Sequence, residues 1–213
     1  MENILKESVE TVAQPWEHSS YYADAEKWTH IFWGGSSVFN ELFSRLDLRS
    51  AVELACGHGR HAERCASDCG SLTLIDVFEA NLQECRKRLS AHSHIRYLTG
   101  NGYDFTGVES GQVTAIYCYD AMVHFSPDLV ESYLKDAARI LAPGGMALLH
   151  HSNHAALPGI VHYGQNPHAR NHMTCDLFRD LAQQAGLTIV ESHSIAWGGV
   201  TDLDRISLLV RPS

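Results

Sequence analysis

The sequence predicts a three-layer α/β sandwich around a mostly parallel sheet, and two observations lead to this fold class. Short apolar runs alternate with amphipathic segments of helical period, and glycine-containing turns join several runs to the segments that follow them. Strands and helices in this alternation form βαβ units, whose right-handed crossovers cover both faces of a parallel sheet. With 213 residues, the chain has the length of one large domain.

The first half of the chain supplies four strands and two helices. Two apolar runs, AVELA and LTLID, are each followed by a segment of helical period. The second of these segments places Leu82, Cys85 and Leu89 on one face. The predicted strands are residues 51–55, 72–76, 95–99 and 113–119, and the predicted helices are residues 60–69 and 79–89.

The second half supplies two capped helices and three strands. Ser126 and Pro127 suit the N-cap and the first position of a helix that runs to residue 140. Thr174 can cap a further helix, which ends near Gly186. The fifth strand contains MALLHH, residues 146–151. The last two strands are residues 187–190 and 206–210, and the second can insert antiparallel beside the first.

Residues 1–45 precede the alternating pattern and are rich in aromatic side chains. We predict that they form helices that pack over the carboxyl edge of the sheet as a lid or substrate cap. The main domain then covers residues 46–213. The aromatic residues that suggest this packing are Trp16, Tyr21, Tyr22, Trp28, Phe32 and Trp33.

The composition argues against several classes of protein. The formal charge of −9 indicates no basic surface that could neutralise a nucleic-acid backbone. Six scattered cysteines, without a Cys-x-x-Cys pair, fit a reducing cytoplasm better than a disulfide framework or a zinc knuckle. No apolar run approaches the roughly 18 residues of a transmembrane helix, and the N-terminus lacks the apolar stretch of a signal peptide. We therefore expect a cytoplasmic protein without nucleic-acid or membrane partners.

The candidate ligand site lies where the strands end. In an open α/β sheet, ligands bind at the carboxyl ends of the strands, near the point where strand order reverses. Glu53 lies in the first strand, and Gly57 and Gly59 follow in a turn where backbone can approach a ligand closely. Asp76, about twenty residues further on, can accept hydrogen bonds from two ribose hydroxyls. The next two strands lead to Asn101, Gly102, Tyr119 and Asp120 beside the same crevice.

With these motifs, residues 48–211 resemble the class I S-adenosylmethionine-dependent methyltransferases. Residues 52–59 match the family's first motif, hydrophobic-Glu-hydrophobic-x-Cys-Gly-x-Gly, and LAPGGMALL matches its Leu-x-Pro-Gly-Gly signature. Asp76 stands at the ribose-binding acid, and Asn101 stands where many members have an Asp that contacts the adenine amine. The resemblance implies a seven-stranded Rossmann-like sheet ending in a reversed hairpin, with S-adenosylmethionine as cofactor and S-adenosylhomocysteine as product. It implies cofactor contacts from Glu53, Ala55, Gly57, Gly59, Asp76, Val77, Asn101, Gly102 and Tyr119.

Histidines near the crevice are candidate catalytic residues, because imidazole can deprotonate an acceptor near neutral pH. We predict that His124, His151 or His154 acts as the base, although His124 can equally well pack against the helix that begins at Ser126. Strand alternation sends His150 and His151 to opposite faces, so at most one of them faces the acceptor. The predicted substrate-binding residues are Tyr21, Tyr22 and Trp28, in the lid, and Arg170, whose guanidinium suits an anionic acceptor.

Six histidines between residues 150 and 172 raise the question of a metal site. They show no His-x-x-x-His spacing on one helical face and no nearby carboxylate pair, so we expect a polar acceptor pocket and no metal.

Together these observations predict a monomeric or homodimeric enzyme that methylates an oxygen or nitrogen of a small-molecule acceptor. The alternatives are a protein or RNA methyltransferase and a non-catalytic S-adenosylmethionine-binding module. An enzyme that uses the same cofactor without transferring its methyl group is a further alternative, because it needs the same binding loop. A nicotinamide dehydrogenase is disfavoured because the glycine turn lacks the third glycine of the dinucleotide fingerprint.

Overall fold

Seven strands form the central sheet of the computed structural model, which describes residues 2–155, 169–197 and 199–213. The strands are β1 (Ala51–Leu54), β2 (Leu72–Asp76), β3 (Ile95–Thr99), β4 (Val113–Cys118), β5 (Leu141–Ser152), β6 (Thr188–Trp197) and β7 (Val200–Val210). Their order is β3-β2-β1-β4-β5-β7-β6. The first five strands run parallel, and β7 lies antiparallel between β5 and β6. The predicted fold class and reversed final hairpin are confirmed.

Helices precede the sheet and connect its strands. The α-helices of the described residues are α1 (Glu2–Ala13), α2 (Tyr21–Asp24), α3 (Thr29–Trp33), α4 (Val38–Phe43), α5 (Ala62–Cys65), α6 (Glu79–Arg88), α7 (Pro127–Ile140) and α8 (Cys175–Gln184). The caps predicted for two of them are present. The Ser126 hydroxyl accepts a hydrogen bond from the Leu129 N–H, and the Thr174 hydroxyl accepts one from the Leu177 N–H.

Alternation along the strands divides the apolar core into two layers. Leu54 of β1 and Leu149 of β5 pack on the face that α7 and α8 cover, whereas Leu74 and Tyr117 pack on the opposite face, toward α4 and α6. Strands buried on both faces explain the continuous apolar runs of the sequence.

Several elements differ in length from the sequence prediction, and β5 begins five residues earlier than predicted. The first crossover helix is shorter than predicted, because it changes to a 3₁₀ turn at Ala66–Asp68, and Gly70 then pairs its N–H with the Leu48 carbonyl at the entry to β2. The last two strands are longer than predicted. They continue beyond their apolar residues as a partly exposed hairpin. The sequence did not predict this part, because its polar residues interrupt the apolar run that indicates a buried strand.

The N-terminal segment packs across the carboxyl edge of the sheet. Val12 of α1 lies against Leu129 of α7, and Phe32 and Phe39 belong to the apolar layer that covers β1 and β4. This is the position predicted for a lid. None of the helices in the described ranges is both long enough and apolar enough to cross a bilayer.

Candidate functional site

A cavity lies between the N-terminal segment and the carboxyl ends of β1, β2 and β4. Its wall contains six of the nine predicted cofactor contacts: Ala55, Gly57, Asp76, Val77, Gly102 and Tyr119. The N-terminal segment closes it with Val9, Val12, Trp16, Tyr21 and Tyr22, among others. We call this space the cofactor cavity.

The loop after β1 has an unusual backbone. Ala55 and Gly57 have φ values of 55° and 53°, in the left-handed region that favours glycine. A Cβ atom on Gly57 would also lie 3.0 Å from two ring carbons of Tyr22, whose ring stacks on His58 at 4.7 Å. The glycine therefore provides both the turn and the close approach of the aromatic ring.

Asp76 holds this loop against the end of β2. One carboxylate oxygen accepts the Gly57 N–H at 2.9 Å, and the other accepts the Phe78 N–H and the Asn81 side-chain amide, both at 3.0 Å. Burial raises the pKa of Asp76 above its usual value, although these hydrogen bonds favour the ionised form. These hydrogen bonds fix the orientation of the carboxylate in the wall of the cofactor cavity.

The other three predicted cofactor contacts lie outside the cavity wall. Glu53 is buried within the sheet, where its carboxylate accepts the Tyr117 hydroxyl at 2.9 Å and where burial raises its pKa. Gly59 packs against Cys85 behind the loop. The Asn101 side chain accepts hydrogen bonds from two backbone N–H groups of its own turn and donates to Asp104. The three residues shape the loops and strand beneath the cavity, and their contact with the cofactor stays a prediction.

A second cavity lies between the N-terminal segment and the β6–β7 hairpin, and we call it the acceptor cavity. Its lining is largely apolar and aromatic, including Trp28, Ile31, Phe32, Ile195 and Trp197. Four residues line both cavities: Tyr21, Tyr119, Asp120 and His124. The two cavities lie on either side of these four side chains, and we call this shared wall the junction.

Asp120 is the central polar group of the junction. Its φ of 59° lies in the left-handed region, which Asp and Asn tolerate better than most residues. Oδ2 accepts hydrogen bonds from the Tyr21 hydroxyl and from Nη2 of Arg60, the latter at 2.9 Å. Arg60 also donates to the Ala25 carbonyl at 2.8 Å and so ties the N-terminal segment to the sheet. Sequence reasoning missed Arg60, whose only signal was its place directly after the glycine turn.

A network of buried polar groups supports Asp120 from below. Its backbone N–H donates to Nδ1 of His150 at 3.1 Å, and Nε2 of the same ring donates to Asp204 at 3.1 Å. Asp204 also accepts three hydrogen bonds from Arg170. Nε lies 2.8 Å from Oδ1 and 3.1 Å from Oδ2, and Nη2 lies 2.5 Å from Oδ2. We call His150, Arg170 and Asp204 the Asp204 network.

Arg170 therefore differs from its prediction. It lines the acceptor cavity, but its guanidinium is paired with a fully buried carboxylate and lies 5.0 Å from the ring centroid of Trp197. Hydrogen bonds from His150 and Arg170 outweigh the effect of burial and lower the pKa of Asp204. Because the ion pair is already satisfied within the protein, this arginine is not arranged to orient an anionic acceptor.

His124 lies at the junction, as predicted. The centroid of its ring lies 4.9 Å from that of Trp16. Nδ1 lies 2.9 Å from the Ala169 carbonyl oxygen, so this nitrogen carries the proton. Burial lowers the pKa of His124 to about 4. The ring is therefore neutral near pH 7, and Nε2 has the lone pair.

His151 and His154 lie elsewhere, which corrects two of the catalytic predictions. The His151 ring stacks on Phe178 of α8 at 3.6 Å and bonds to Ser207, on the sheet face away from the junction. Burial lowers its pKa to about 3. The backbone of His154 pairs with His172 in the loop beyond β5. Alternation along the strand predicts that at most one of His150 and His151 faces the site, and in the structure this residue is His150.

The described ranges contain no group of three or more His, Cys, Asp or Glu side chains arranged to hold a metal ion. His162 and His168, which contributed to the histidine-rich stretch, lie outside the described residues.

The comparisons with known proteins agree with this arrangement. Residues 51–145, a little under half of the chain, match the family model of a methyltransferase domain. Nodulation protein S of Rhizobium tropici is 26% identical over 100 residues, which are 46% of this chain and 41% of that protein. The chain thus matches less than half the length of this relative.

Two solved structures share the fold. The N-methyltransferase NodS from Bradyrhizobium japonicum WM9 has a TM-score of 0.63 and 16% identity, covering 92% of this chain and 99% of that one. The geranyl diphosphate C-methyltransferase of Streptomyces coelicolor A3(2), solved with Mg²⁺, geranyl diphosphate and S-adenosyl-L-homocysteine, has a TM-score of 0.65 and 14% identity, covering 81% of this chain and 77% of that one.

Proposed function

We propose that this chain is an S-adenosylmethionine-dependent methyltransferase that methylates a nitrogen or oxygen of a small-molecule acceptor. Residues 51–145 match the family model of a methyltransferase domain, and the described residues share the fold of solved methyltransferases. One observation carries the proposal. The cofactor cavity and the acceptor cavity share four lining side chains, so ligands bound in them would lie next to each other at the junction. Methyl transfer is an in-line substitution that gains most of its rate from such placement.

The residues of the cofactor cavity fit S-adenosylmethionine. Gly57 brings backbone close to the cavity, and Asp76 presents a carboxylate in its wall where the ribose would lie. Val77 and Gly102 give an apolar wall at the ends of β2 and β3 for the adenine. When bound, the cofactor supplies a methyl group on a positively charged sulfur, and S-adenosylhomocysteine is the product. No cationic histidine opposes this charge at the junction, because His124 is neutral near pH 7.

The chain's own contribution is to place the acceptor and to exclude water. Tyr21 and Tyr22 cover the cavity from the N-terminal segment, and Arg60 fastens that segment through the Ala25 carbonyl. His124 lines both cavities, so its neutral ring forms part of the wall beside both ligands. A dry, closed site strengthens each of these polar interactions.

Calorimetric titration tests the cofactor assignment first. We expect saturable binding of S-adenosylmethionine and none of NADH, followed by formation of S-adenosylhomocysteine when a panel of small amines, phenols and alcohols is added. Selective binding of NADH would contradict the assignment. Tight cofactor binding without turnover on any acceptor of the panel would favour a non-catalytic binding module instead.

A further inference from the structure

The charges around the acceptor cavity restrict the chemistry of its ligand. Two cations line this cavity in the described part of the chain, and each is paired with a carboxylate: Lys27 with Asp24 at 3.2 Å, and Arg170 with Asp204 at 2.5 Å. Recognition of a carboxylate or phosphate normally uses such a cation. The cavity is therefore poorly suited to an anionic acceptor.

Asp120 is the carboxylate of the junction, where it forms an ion pair with Arg60. Its side chain is 4% exposed, and both of its side-chain hydrogen bonds, from Tyr21 and Arg60, fall on Oδ2. Oδ1 makes no hydrogen bond with any residue that the structure describes. A carboxylate oxygen accepts hydrogen bonds and donates none, so it matches a ligand group that carries N–H donors. A charged donor forms the stronger bond with it.

Aromatic rings surround the approach to this carboxylate. Trp28, Phe32 and Trp197 line the acceptor cavity, and the last two rings stack at 5.9 Å. Each of these rings already has a cation of the protein near it, Lys27, Arg60 or Arg170. The rings therefore contribute an apolar wall that packs well against an apolar or aromatic ligand. A carboxylate at the inner end and rings along the wall together fit an amine on an apolar body.

We propose that the acceptor is a primary or secondary amine attached to an apolar, ring-containing body, and that Asp120 binds its nitrogen at the junction. This inference rests on the proposed function and narrows it from nitrogen or oxygen to nitrogen.

The charge balance of the reaction gives Asp120 a role in catalysis. After the ammonium has lost one proton to solvent, the neutral nitrogen forms a bond to the methyl carbon. The bond between that carbon and the sulfonium sulfur breaks, and its electron pair stays on sulfur. Positive charge thus moves from sulfur to nitrogen, where the Asp120 carboxylate stabilises it. The methylated ammonium then leaves and loses its extra proton in solution.

Three ligands with one body and different head groups test the proposal. The probes are 2-phenylethylamine, 2-phenylethanol and 3-phenylpropionate, each titrated into protein saturated with S-adenosylhomocysteine. We expect the amine to bind at least about tenfold more tightly than the other two, as a charge-assisted hydrogen bond allows. With S-adenosylmethionine, mass spectrometry should detect N-methyl-2-phenylethylamine.

Two asparagine variants make the test specific. Asp120→Asn removes the charge from a left-handed position that Asn tolerates, and it should abolish the preference for the amine while S-adenosylhomocysteine still binds. Asp202→Asn is the matched control, because Asp202 also has a left-handed φ, of 56°, but lies on the exposed hairpin, and it should keep the preference.

Three results would overturn the amine assignment: equal or tighter binding of the alcohol or the carboxylate, an unchanged preference in Asp120→Asn, or no binding of any of the three probes. Failure of S-adenosylhomocysteine to bind the unmodified protein would be a different result, since it would remove the proposed function together with this inference.

Discussion

Replacement of Asp204 by asparagine should destabilise the protein strongly, because it leaves a buried cation without its counter-charge. Asp204 and His150 are fully buried, and the Arg170 side chain is 5% exposed. Breaking a buried ion pair by removing one partner typically costs about 3–5 kcal/mol. Asparagine keeps one acceptor oxygen, so we expect a loss of about 3 kcal/mol in the free energy of unfolding.

Urea denaturation followed by tryptophan fluorescence measures this loss, and Asp202→Asn is again the matched control. Asp202 lies on the same strand and pairs with Arg205 at 3.3 Å, but its side chain is 56% exposed, so its removal should cost less than about 1 kcal/mol. If the two variants unfold within about 1 kcal/mol of each other, the Asp204 network does not carry the stability assigned to it.

The remaining predictions concern pH and the cofactor cavity. Because burial lowers the pKa of His124 to about 4 and that of His151 to about 3, the unfolded chain takes up protons before the folded one, and stability should fall as the pH drops below about 6.5. His151→Gln should reduce this slope by up to about 1.4 kcal/mol per pH unit between pH 6 and 4.5, and equal slopes would contradict the assigned burial. Gly57→Ala should weaken S-adenosylmethionine binding at least about tenfold in calorimetry with an unchanged circular dichroism spectrum, because the left-handed φ and the Tyr22 ring both oppose a methyl group; wild-type affinity would refute this. Asp76→Ala should weaken the same binding by about 10–100-fold, and an unchanged affinity would exclude a contact with the ribose.

The fold was largely predictable because its signals are local. Apolar runs, glycine turns and the caps at Ser126 and Thr174 each depend on a few consecutive residues, and the structure contains them nearly where the sequence predicts. The loop after β1 and the acid at the end of β2 were predictable for the same reason. Both recur at fixed distances within one βαβ unit.

The polar interior of the site was not predictable, since its partners are distant in sequence. The pairs of Arg60 with Asp120 and of Arg170 with Asp204 join residues 60 and 34 positions apart, and no periodic pattern connects them. The direction in which a side chain points was also not predictable from the sequence. Asn101 has the right position for a ligand contact, but its own turn offers it two nearer N–H groups, and a local hydrogen bond costs less entropy than a distant one.

The β6–β7 hairpin has a consequence for protein engineering. Ile195 and Trp197 line the acceptor cavity, while Asp204, on the other strand of the same hairpin, anchors the groups beneath Asp120. A loop that only determined specificity could be exchanged between homologues as a module. Here, an exchanged hairpin must also provide a carboxylate in register with His150 and Arg170, so new acceptor range and retained stability have to be selected together.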